Sequence, residues 1–526
     1  MKTIFKPIAI VIAAFTLTLN SCSDFLETTP SDFLSPANYY ETEEQLNFAL
    51  NGVYDILGQR AVYGDALISR MGTEADEGFY NVSTFAGTQV YNHSTADTYV
   101  LNLWQLLYDG INRANVLIEN VNKPQMDEVK RNDILGQAKF LRAYYHLLLV
   151  SNWGDVPLMM KATSSANQTN VERTPQKDVY EAILKDMEEA EALVLPATTV
   201  GFGGKINKSA VRGILARVCL YMAGNPVKDT SKYQEALKWS KMIIDENVHA
   251  LNPSYQDIFI NYAADKYDIK ESIWEVEFWG NTSGPYREGG RVGINTGMPN
   301  PNTAAYVYGF IQTTAKLFNS YGSTKDLRRD WAIAPFRYQS QGTIKANWNA
   351  TQIYERHCGK WRREYEVVSP KSMNDSPENF PLLRYSDVLL MYAEAENEVN
   401  GPTAEAYTAI NQVRKRAYGK LLPGATNVNE ANVPAGLSKK DFAEYIQAER
   451  SRELCFEGLR KYDLIRWGVL GSTLKDLSAE ITANAPAALK YAANAGINFV
   501  EPQHLLLPVP VYEMGINKAL VQNKGW

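Results

Sequence analysis

Residues 208–245 read KSAVRGILARVCLYMAGNPVKDTSKYQEALKWSKMIID, and this stretch decides the fold class. Apolar residues recur at three- and four-residue spacing over 208–222 and again over 231–245, which predicts two amphipathic helices. The Gly-Asn-Pro sequence at 224–226 breaks the helical pattern and predicts a turn between them. Small residues such as Ala216 permit a close helix crossing, so the stretch resembles one tetratricopeptide helical hairpin.

The same helical spacing recurs elsewhere and indicates a mainly α-helical fold, with predicted helices at 44–57, 104–121, 127–150, 174–194, 385–399 and 404–417. The last two are separated by Asn-Gly-Pro, so several hairpins are expected. A region at about 251–382 has weak helical period and many Gly, Pro, Asn and aromatic residues. We predict a loop-rich insertion with short strands there, and expect it to carry function on a rigid scaffold.

The N-terminus has the pattern of a bacterial lipoprotein signal. Lys2 and Lys6 precede an apolar run, 8–19, that is too short to span a bilayer. The run ends in Leu-Asn-Ser-Cys, which resembles a lipobox and predicts a signal peptide at 1–21 with Cys22 as the acylated first residue. Residues 22–34 then read as a tether. The alternative is that Cys22 is incidental to a secretory signal that is cleaved elsewhere.

Composition excludes several classes of function. The net charge of -6 and pI near 5.7 argue against a nucleic-acid partner. Four cysteines without C-x-x-C spacing encode neither a disulfide framework nor a zinc site, and none of the five histidines lies within a helical turn of another. The 31 tyrosines and 10 tryptophans suit carbohydrate recognition, although most of them must pack helices together.

Five sequence blocks resemble the signature segments of the SusD/RagB family: FLRAYY at 140–145, WGDVP at 153–157, LRYSDVLLMYAEA at 383–395, ERSRELCFEGLRKYDLIRWG at 449–468 and LPVP at 507–510. The resemblance covers essentially the whole mature chain. It implies about four tetratricopeptide-like helix pairs in a single domain, 35–526, with the scaffold at 35–250 and 383–526 and the variable ligand-binding region at about 251–382.

The resemblance also implies a biological setting. The protein would be lipid-anchored at the outer membrane, face the extracellular side, and act with a SusC-like TonB-dependent transporter as its partner. The family is non-enzymatic, and its ligand site is an aromatic cradle on loops that follow no shared motif. No binding residue can therefore be carried over from it.

One group of glutamates has a spacing that suggests catalysis. Glu449, Glu453 and Glu457 follow each other at four-residue spacing on one predicted helix, and paired carboxylates could cleave a glycosidic bond. A glycosidase, however, needs its two carboxylates on opposite sides of that bond. The arginines interleaved in this segment favour an ion network that locks neighbouring helices, in which they pair these glutamates and Asp463.

The candidate ligand residues combine rings with hydrogen-bonding groups in predicted loops: Asp76, Tyr80, Trp279, Tyr286, Arg287, Trp331 and Trp348. For each ring, the alternative is a place in a small core beneath its own loop. No cofactor and no metal site are predicted. Calcium at the acidic stretch 74–77 stays open as an alternative, although a solvated acidic turn is favoured.

These observations predict a cell-surface glycan-binding lipoprotein without catalytic residues. It would capture an oligo- or polysaccharide and deliver it to the transporter. The alternatives are a peptide-binding member of the same family, a surface-anchored glycoside hydrolase, and a scaffold that binds only other proteins.

Overall fold

The computed structural model describes residues 39–71, 75–165, 167, 169–280, 289–302, 306–339 and 342–526. The predicted signal peptide, Cys22 and the tether lie outside the described residues. The described part is mainly α-helical with three small two-stranded sheets, which confirms the predicted fold class.

Among the described residues, the first half of the chain contains these helices: α1 (Glu43–Gly58), α2 (Ala66–Ser69), α3 (Thr98–Asn120), α4 (Glu128–Trp153), α5 (Gln176–Leu193), α6 (Ala197–Val200), α7 (Lys208–Ala223) and α8 (Lys232–Asp245). Five of the six helices predicted here have bounds within a few residues of the sequence pattern, and the four-residue helices α2 and α6 were not predicted. The exception is α3, which begins six residues before the predicted start at 104. Asp97 makes this early start favourable, because its carboxylate accepts from the main-chain nitrogens of Tyr99 and Val100 at 2.9 and 3.1 Å.

Where the structure describes the central region, it contains the short helices α9 (Tyr255–Ala263), α10 (Ala315–Ser320) and α11 (Arg328–Ala332), a π-helical turn at Val292–Thr296, and most of the described strands. The strands are β1 (Gly78–Tyr80), β2 (Ser272–Val276), β3 (Ile311–Thr313), β4 (Phe336–Gln339), β5 (Ile344–Asn347) and β6 (Phe380–Arg384). They pair antiparallel as β1 with β3, β2 with β6, and β4 with β5. The short α9 was missed in the sequence because nine residues show too little helical period.

The C-terminal part returns to helices: α12 (Tyr385–Asn400), α13 (Ala404–Ala417), α14 (Lys439–Leu454), α15 (Arg460–Arg466), α16 (Leu470–Asn484), α17 (Asn494–Asn498) and α18 (Val511–Ile516), with 3₁₀ turns at Ala487–Ala493 and Gln503–Leu505. Pairs of scaffold helices lie against each other as α1 with α3, α4 with α5, α7 with α8, and α12 with α13. The last two are the hairpins predicted at 208–245 and 385–417. Where α3 meets α4, a Cβ on Gly110 would lie 2.7 Å from the Tyr145 ring, so only glycine permits this approach.

Candidate functional site

A row of packed aromatic rings joins residues 306–310 to β1, and Arg70 connects this row to Tyr99 at the start of α3. Tyr306 meets Tyr308 edge to face at 4.8 Å between ring centroids, and Tyr308 stacks on Phe310 at 5.1 Å. Phe310 stacks on Tyr80 at 5.0 Å with only 16° between the ring planes. Phe85 packs against Tyr80 at 4.8 Å, and Arg70 links Phe85 to Tyr99. We call this set the aromatic ladder: Tyr306, Tyr308, Phe310, Tyr80, Phe85 and Tyr99.

Sheet pairing fixes the middle of the ladder. Tyr80 lies opposite Ile311 in the β1–β3 pair, which places its ring beside that of the preceding Phe310. Gly309 has φ of +60°, and a Cβ there would lie 2.5 Å from the Pro299 ring, so glycine is required at this bend between two ladder rings. The Asn81 side chain donates to the Gly309 carbonyl at 2.8 Å and ties the bend to β1.

At the other end of the ladder, the Arg70 side chain contacts three aromatic rings. The Arg70 guanidinium lies 4.2 Å from the Tyr99 ring centroid, 4.9 Å from that of Phe85 and 5.8 Å from that of Tyr80. These distances allow cation–π attraction to each ring. One arginine therefore holds together rings from three separate segments.

The ladder is buried in its middle and open at its ends. Tyr80 is buried, whereas the side chains of Tyr308 and Tyr99 are 44% and 37% exposed. Burial raises the pKa of Tyr80 to about 12, so its hydroxyl stays protonated at neutral pH. Exposed rings beside hydroxyl and guanidinium donors can stack on the C–H face of a sugar and hydrogen-bond its hydroxyls.

Of the residues that the sequence singled out, Tyr80 belongs to the ladder and Asp76 does not. The Asp76 carboxylate pairs with Arg460 at 2.7 Å and with Lys316 at 2.9 Å, and it is buried. Burial alone would raise the pKa of Asp76, but these two cations lower it to about 2. Within the described residues, no group of three or more His, Cys, Asp or Glu side chains is arranged to hold a metal ion.

The predicted tryptophans lie apart from the ladder. Trp279 is 57% exposed, and its neighbours Tyr286 and Arg287 lie outside the described residues. Trp331 is buried beneath Arg362, whose guanidinium lies 3.7 Å from its ring centroid. Trp348 is half-buried under Arg337 at 4.8 Å. Trp331 thus supports an arginine, which corresponds to the alternative of a ring packed beneath its own loop.

The remaining ladder residues were missed in the candidate set. Tyr306, Tyr308 and Phe310 alternate with period two, which places their side chains on one side of an extended segment. That alternation was a usable signal for this part of the ladder. Arg70, Phe85 and Tyr99 carried no comparable pattern, because only the tertiary fold brings them to the same rings.

The three glutamates of α14 form a buried ion network. Glu449 pairs with Arg328 at 2.7 Å and with Arg414 at 3.0 Å. Glu453 pairs with Arg328, Arg384 and Arg416 at 3.0, 2.9 and 2.5 Å, and Glu457 pairs with Lys360 and Arg384, both at 2.7 Å. All three side chains are at most 3% exposed, so a polysaccharide cannot reach them in this conformation.

The predicted arginine pairings hold only in part. Arg452 pairs with Glu449 at 2.7 Å, and Arg450 pairs with Asp463 at 2.8 Å, as expected. Arg460 instead pairs with Asp76, which ties α15 to the segment before β1. Burial alone would raise the pKa of Glu453, but Arg416, Arg384 and Arg328 lower it to about 2, so the carboxylate stays ionised.

Two family models match the chain. The model described as the SusD family matches residues 270–526, and the model described as starch-binding associating with outer membrane matches residues 24–220. The chain belongs to the SusD-like family. These matches support carbohydrate binding and association with the outer membrane.

Relatives of this SusD-like protein align over nearly its whole length. The SusD-like protein P2 of Formosa agariphila is 28% identical, with 98% of this chain and 99% of the relative covered. A SusD homolog from Bacteroides thetaiotaomicron has a TM-score of 0.87 at 28% identity, with 93% of this chain and 98% of the homolog covered. Surface glycan-binding protein A from Bacteroides thetaiotaomicron in complex with laminarihexaose has a TM-score of 0.70 at 22% identity, with 91% and 99% covered.

Proposed function

We propose that this SusD-like protein is a cell-surface glycan-binding lipoprotein that captures an oligo- or polysaccharide without cleaving it. The aromatic ladder carries the proposal, because it presents Tyr308 and Tyr99 to solvent beside the hydroxyl and guanidinium donors that sugars need. The structural neighbour solved with laminarihexaose supports the same class of ligand.

Isothermal titration tests the proposal with the soluble chain lacking residues 1–22. The panel contains plant, host and microbial glycans and a peptide digest, and every mixture is checked for cleavage products. Saturable binding of a glycan that stays intact is the expected result. Binding of peptides alone would favour the peptide-importing branch of the family, and cleavage would favour a surface glycoside hydrolase.

Replacing Tyr308 with alanine is expected to weaken the binding of the captured glycan by about 1–2 kcal/mol, which is roughly five- to thirty-fold in Kd. The reason is the loss of the exposed ring that stacks on Phe310. Tyr308→Phe keeps the ring and should retain most of the affinity. Phe48→Ala is the control, because Phe48 is 57% exposed on α1, which contributes no ring to the ladder. Equal affinity of Y308A and the unchanged protein would count against the ladder.

The proposal includes a lipid anchor on Cys22 and delivery of the glycan to a SusC-like TonB-dependent transporter. Support comes from the signal-like N-terminus and from the family described as associating with outer membrane. Across the described residues, no helix has both the length and the apolar character needed to cross a membrane. On the extracellular face of the outer membrane, the aromatic ladder would be accessible to polysaccharides, and the protein would lie next to the transporter.

Replacing Cys22 with alanine is expected to move the protein from the outer-membrane fraction to the soluble fraction. The acyl chains contribute about 0.8 kcal/mol per buried methylene, and without Cys22 they have no attachment point. Cell fractionation with immunodetection measures the distribution, and Ser35→Ala serves as the control. Retention of C22A in the membrane fraction would show that another part of the protein holds it there.

A further inference from the structure

A polar cavity of about 370 Å³ lies between the β4–β5 hairpin and the segment after Trp361. Its volume falls in the range of small-molecule sites. Val307 lines the cavity, whereas its neighbours Tyr306 and Tyr308 belong to the aromatic ladder. One short segment, 306–308, therefore contributes to both the cavity and the ladder.

The wall of this cavity is rich in positive charge. Four cations line it, together with one carboxylate: Lys345, Arg362, Arg363, Lys371 and Glu364. The amides of Asn300 and Asn302 and the side chains of Tyr338 and Thr343 also line it. A set of four cations beside one carboxylate requires negative charge from elsewhere.

Among the described residues, carboxylates pair closely with two of these cations. Arg363 is held by Glu366, with donor–acceptor distances of 2.6 and 2.9 Å. Lys345 pairs with Glu364 at 2.7 Å, and the same carboxylate oxygen accepts from the Tyr338 hydroxyl at 3.1 Å. Glu364 and Glu366 are therefore already occupied.

Arg362 and Lys371 are satisfied mainly by main-chain carbonyls, which accept hydrogen bonds but carry no net charge. Arg362 donates to the Gly359 carbonyl at 2.7 Å, and its nearest carboxylate, Glu364, lies 3.9 Å away. Lys371 donates to the Arg363 carbonyl, and among the described residues it makes no ion pair with a carboxylate. Burial lowers the pKa of both side chains, as expected for cations that lack full compensation.

The carboxyl group of Glu378 does not supply the missing charge. It is buried, and within the described residues neither of its oxygens has a hydrogen-bond partner. Burial followed by the repulsion of Glu366 raises its pKa to about 8 against the opposing effect of Arg363 and Lys371, which favours the protonated form at pH 7. Within the described part of the chain, Arg362 and Lys371 thus have no carboxylate within hydrogen-bonding distance.

We infer that this cavity binds an acidic sugar, through the carboxylate of a uronate or a sulfate ester, with Arg362 and Lys371 as its counter-charges. A guanidinium and an ammonium make charge-assisted hydrogen bonds to either anion. The amides and the Tyr338 hydroxyl are suited to the sugar's own hydroxyl groups. This inference rests on the proposed glycan-binding function and adds the charge class of the glycan.

Titration with three oligosaccharides tests it on the soluble chain lacking residues 1–22. Tetragalacturonate carries carboxylates without sulfate, a κ-carrageenan tetrasaccharide carries sulfate without carboxylates, and laminarihexaose is neutral. The unchanged protein is expected to bind at least one acidic oligosaccharide, with an affinity that falls as NaCl is raised. Binding of one acidic probe and not the other identifies the anion.

Lys371→Gln is expected to weaken binding of the acidic oligosaccharide about ten-fold, because it removes one charge-assisted hydrogen bond. Glu364→Gln is expected to strengthen it, since the change removes the one carboxylate in the wall and releases Lys345. Lys440→Gln is the matched control: it removes the same charge from a side chain that is 85% exposed and lies 3.9 Å from Glu444. Thermal melting confirms that each variant is folded.

Two results would overturn the inference. The first is that neither acidic oligosaccharide binds, and the second is that K371Q, E364Q and the unchanged protein bind an acidic oligosaccharide with the same affinity. Either result could occur while laminarihexaose still binds and Y308A weakens it, in which case glycan capture stands without the acidic subsite. Failure of the proposed function is distinct, because then no glycan of any charge binds.

Discussion

Replacing Glu453 with alanine is expected to lower the free energy of unfolding by about 3–5 kcal/mol, the usual cost of removing one member of a buried ion network. Glu453 accepts hydrogen bonds from three buried arginines. Arg328 would keep Asp326 and Glu449, and Arg384 would keep Glu457 and Glu271. Arg416 would be left with Glu271 alone, at 3.5 Å. Urea denaturation followed by circular dichroism measures the change.

The same helix provides the control for this experiment. Glu444 also lies on α14, but it is 63% exposed and lies 3.9 Å from Lys440. Its replacement by alanine should change the free energy of unfolding by no more than about 0.5 kcal/mol. If E453A lost less than about 1 kcal/mol, the network would not be a main source of scaffold stability.

Replacing Trp153 with alanine is expected to cost about 3–5 kcal/mol, the range for a buried tryptophan that leaves a cavity. Trp153 is fully buried at the end of α4 and meets Trp104 of α3 edge to face at 5.2 Å. Its indole nitrogen donates to the carbonyl of Pro508 at 2.9 Å. The side chain thus joins the N-terminal helices to the Leu-Pro-Val-Pro segment near the C-terminus, and W153A would also leave that carbonyl without its donor.

A conservative variant separates the two contributions. Trp153→Phe keeps an aromatic ring but loses the hydrogen bond to Pro508, so it should cost less than W153A and still about 1–3 kcal/mol. Trp279→Ala removes a tryptophan that is 57% exposed, and it should leave the urea midpoint almost unchanged. Similar midpoints for W153A and W279A would mean that the junction at Trp153 tolerates the loss.

The helical scaffold was largely predictable from the sequence. The hairpin at 208–245 appears as α7 and α8, and the pair at 385–417 appears as α12 and α13. These predictions succeeded because helical period, Gly-Pro turns and capping residues act over a few neighbouring residues. The short α9 was not predicted, since its position depends on contacts such as the hydrogen bond from the Tyr255 hydroxyl to the Glu453 carbonyl.

The site was predicted less well. An aromatic binding surface was expected from composition. Of the candidate residues, Tyr80 lies in the aromatic ladder, whereas Trp331 and Asp76 are buried and have protein partners. Sequence alone did not distinguish a ring that faces solvent from one that supports a neighbouring arginine. Both kinds of ring occur in the same Gly- and Pro-rich segments.

The sequence by itself determined the long scaffold helices, the turns between them, the ionic character of α14 and the family resemblance, because each of these depends on residues that are close together in the chain. Only the tertiary structure decided which side chains meet. Asn81 bonds to Gly309 across 228 positions and thereby sets Tyr80 beside Phe310, and Glu453 reaches Arg384 across 69 positions. Tertiary packing forms the aromatic ladder, the ion network and the positive cavity. Segments far apart in the sequence contribute to each of them, and local sequence patterns do not predict contacts between distant segments.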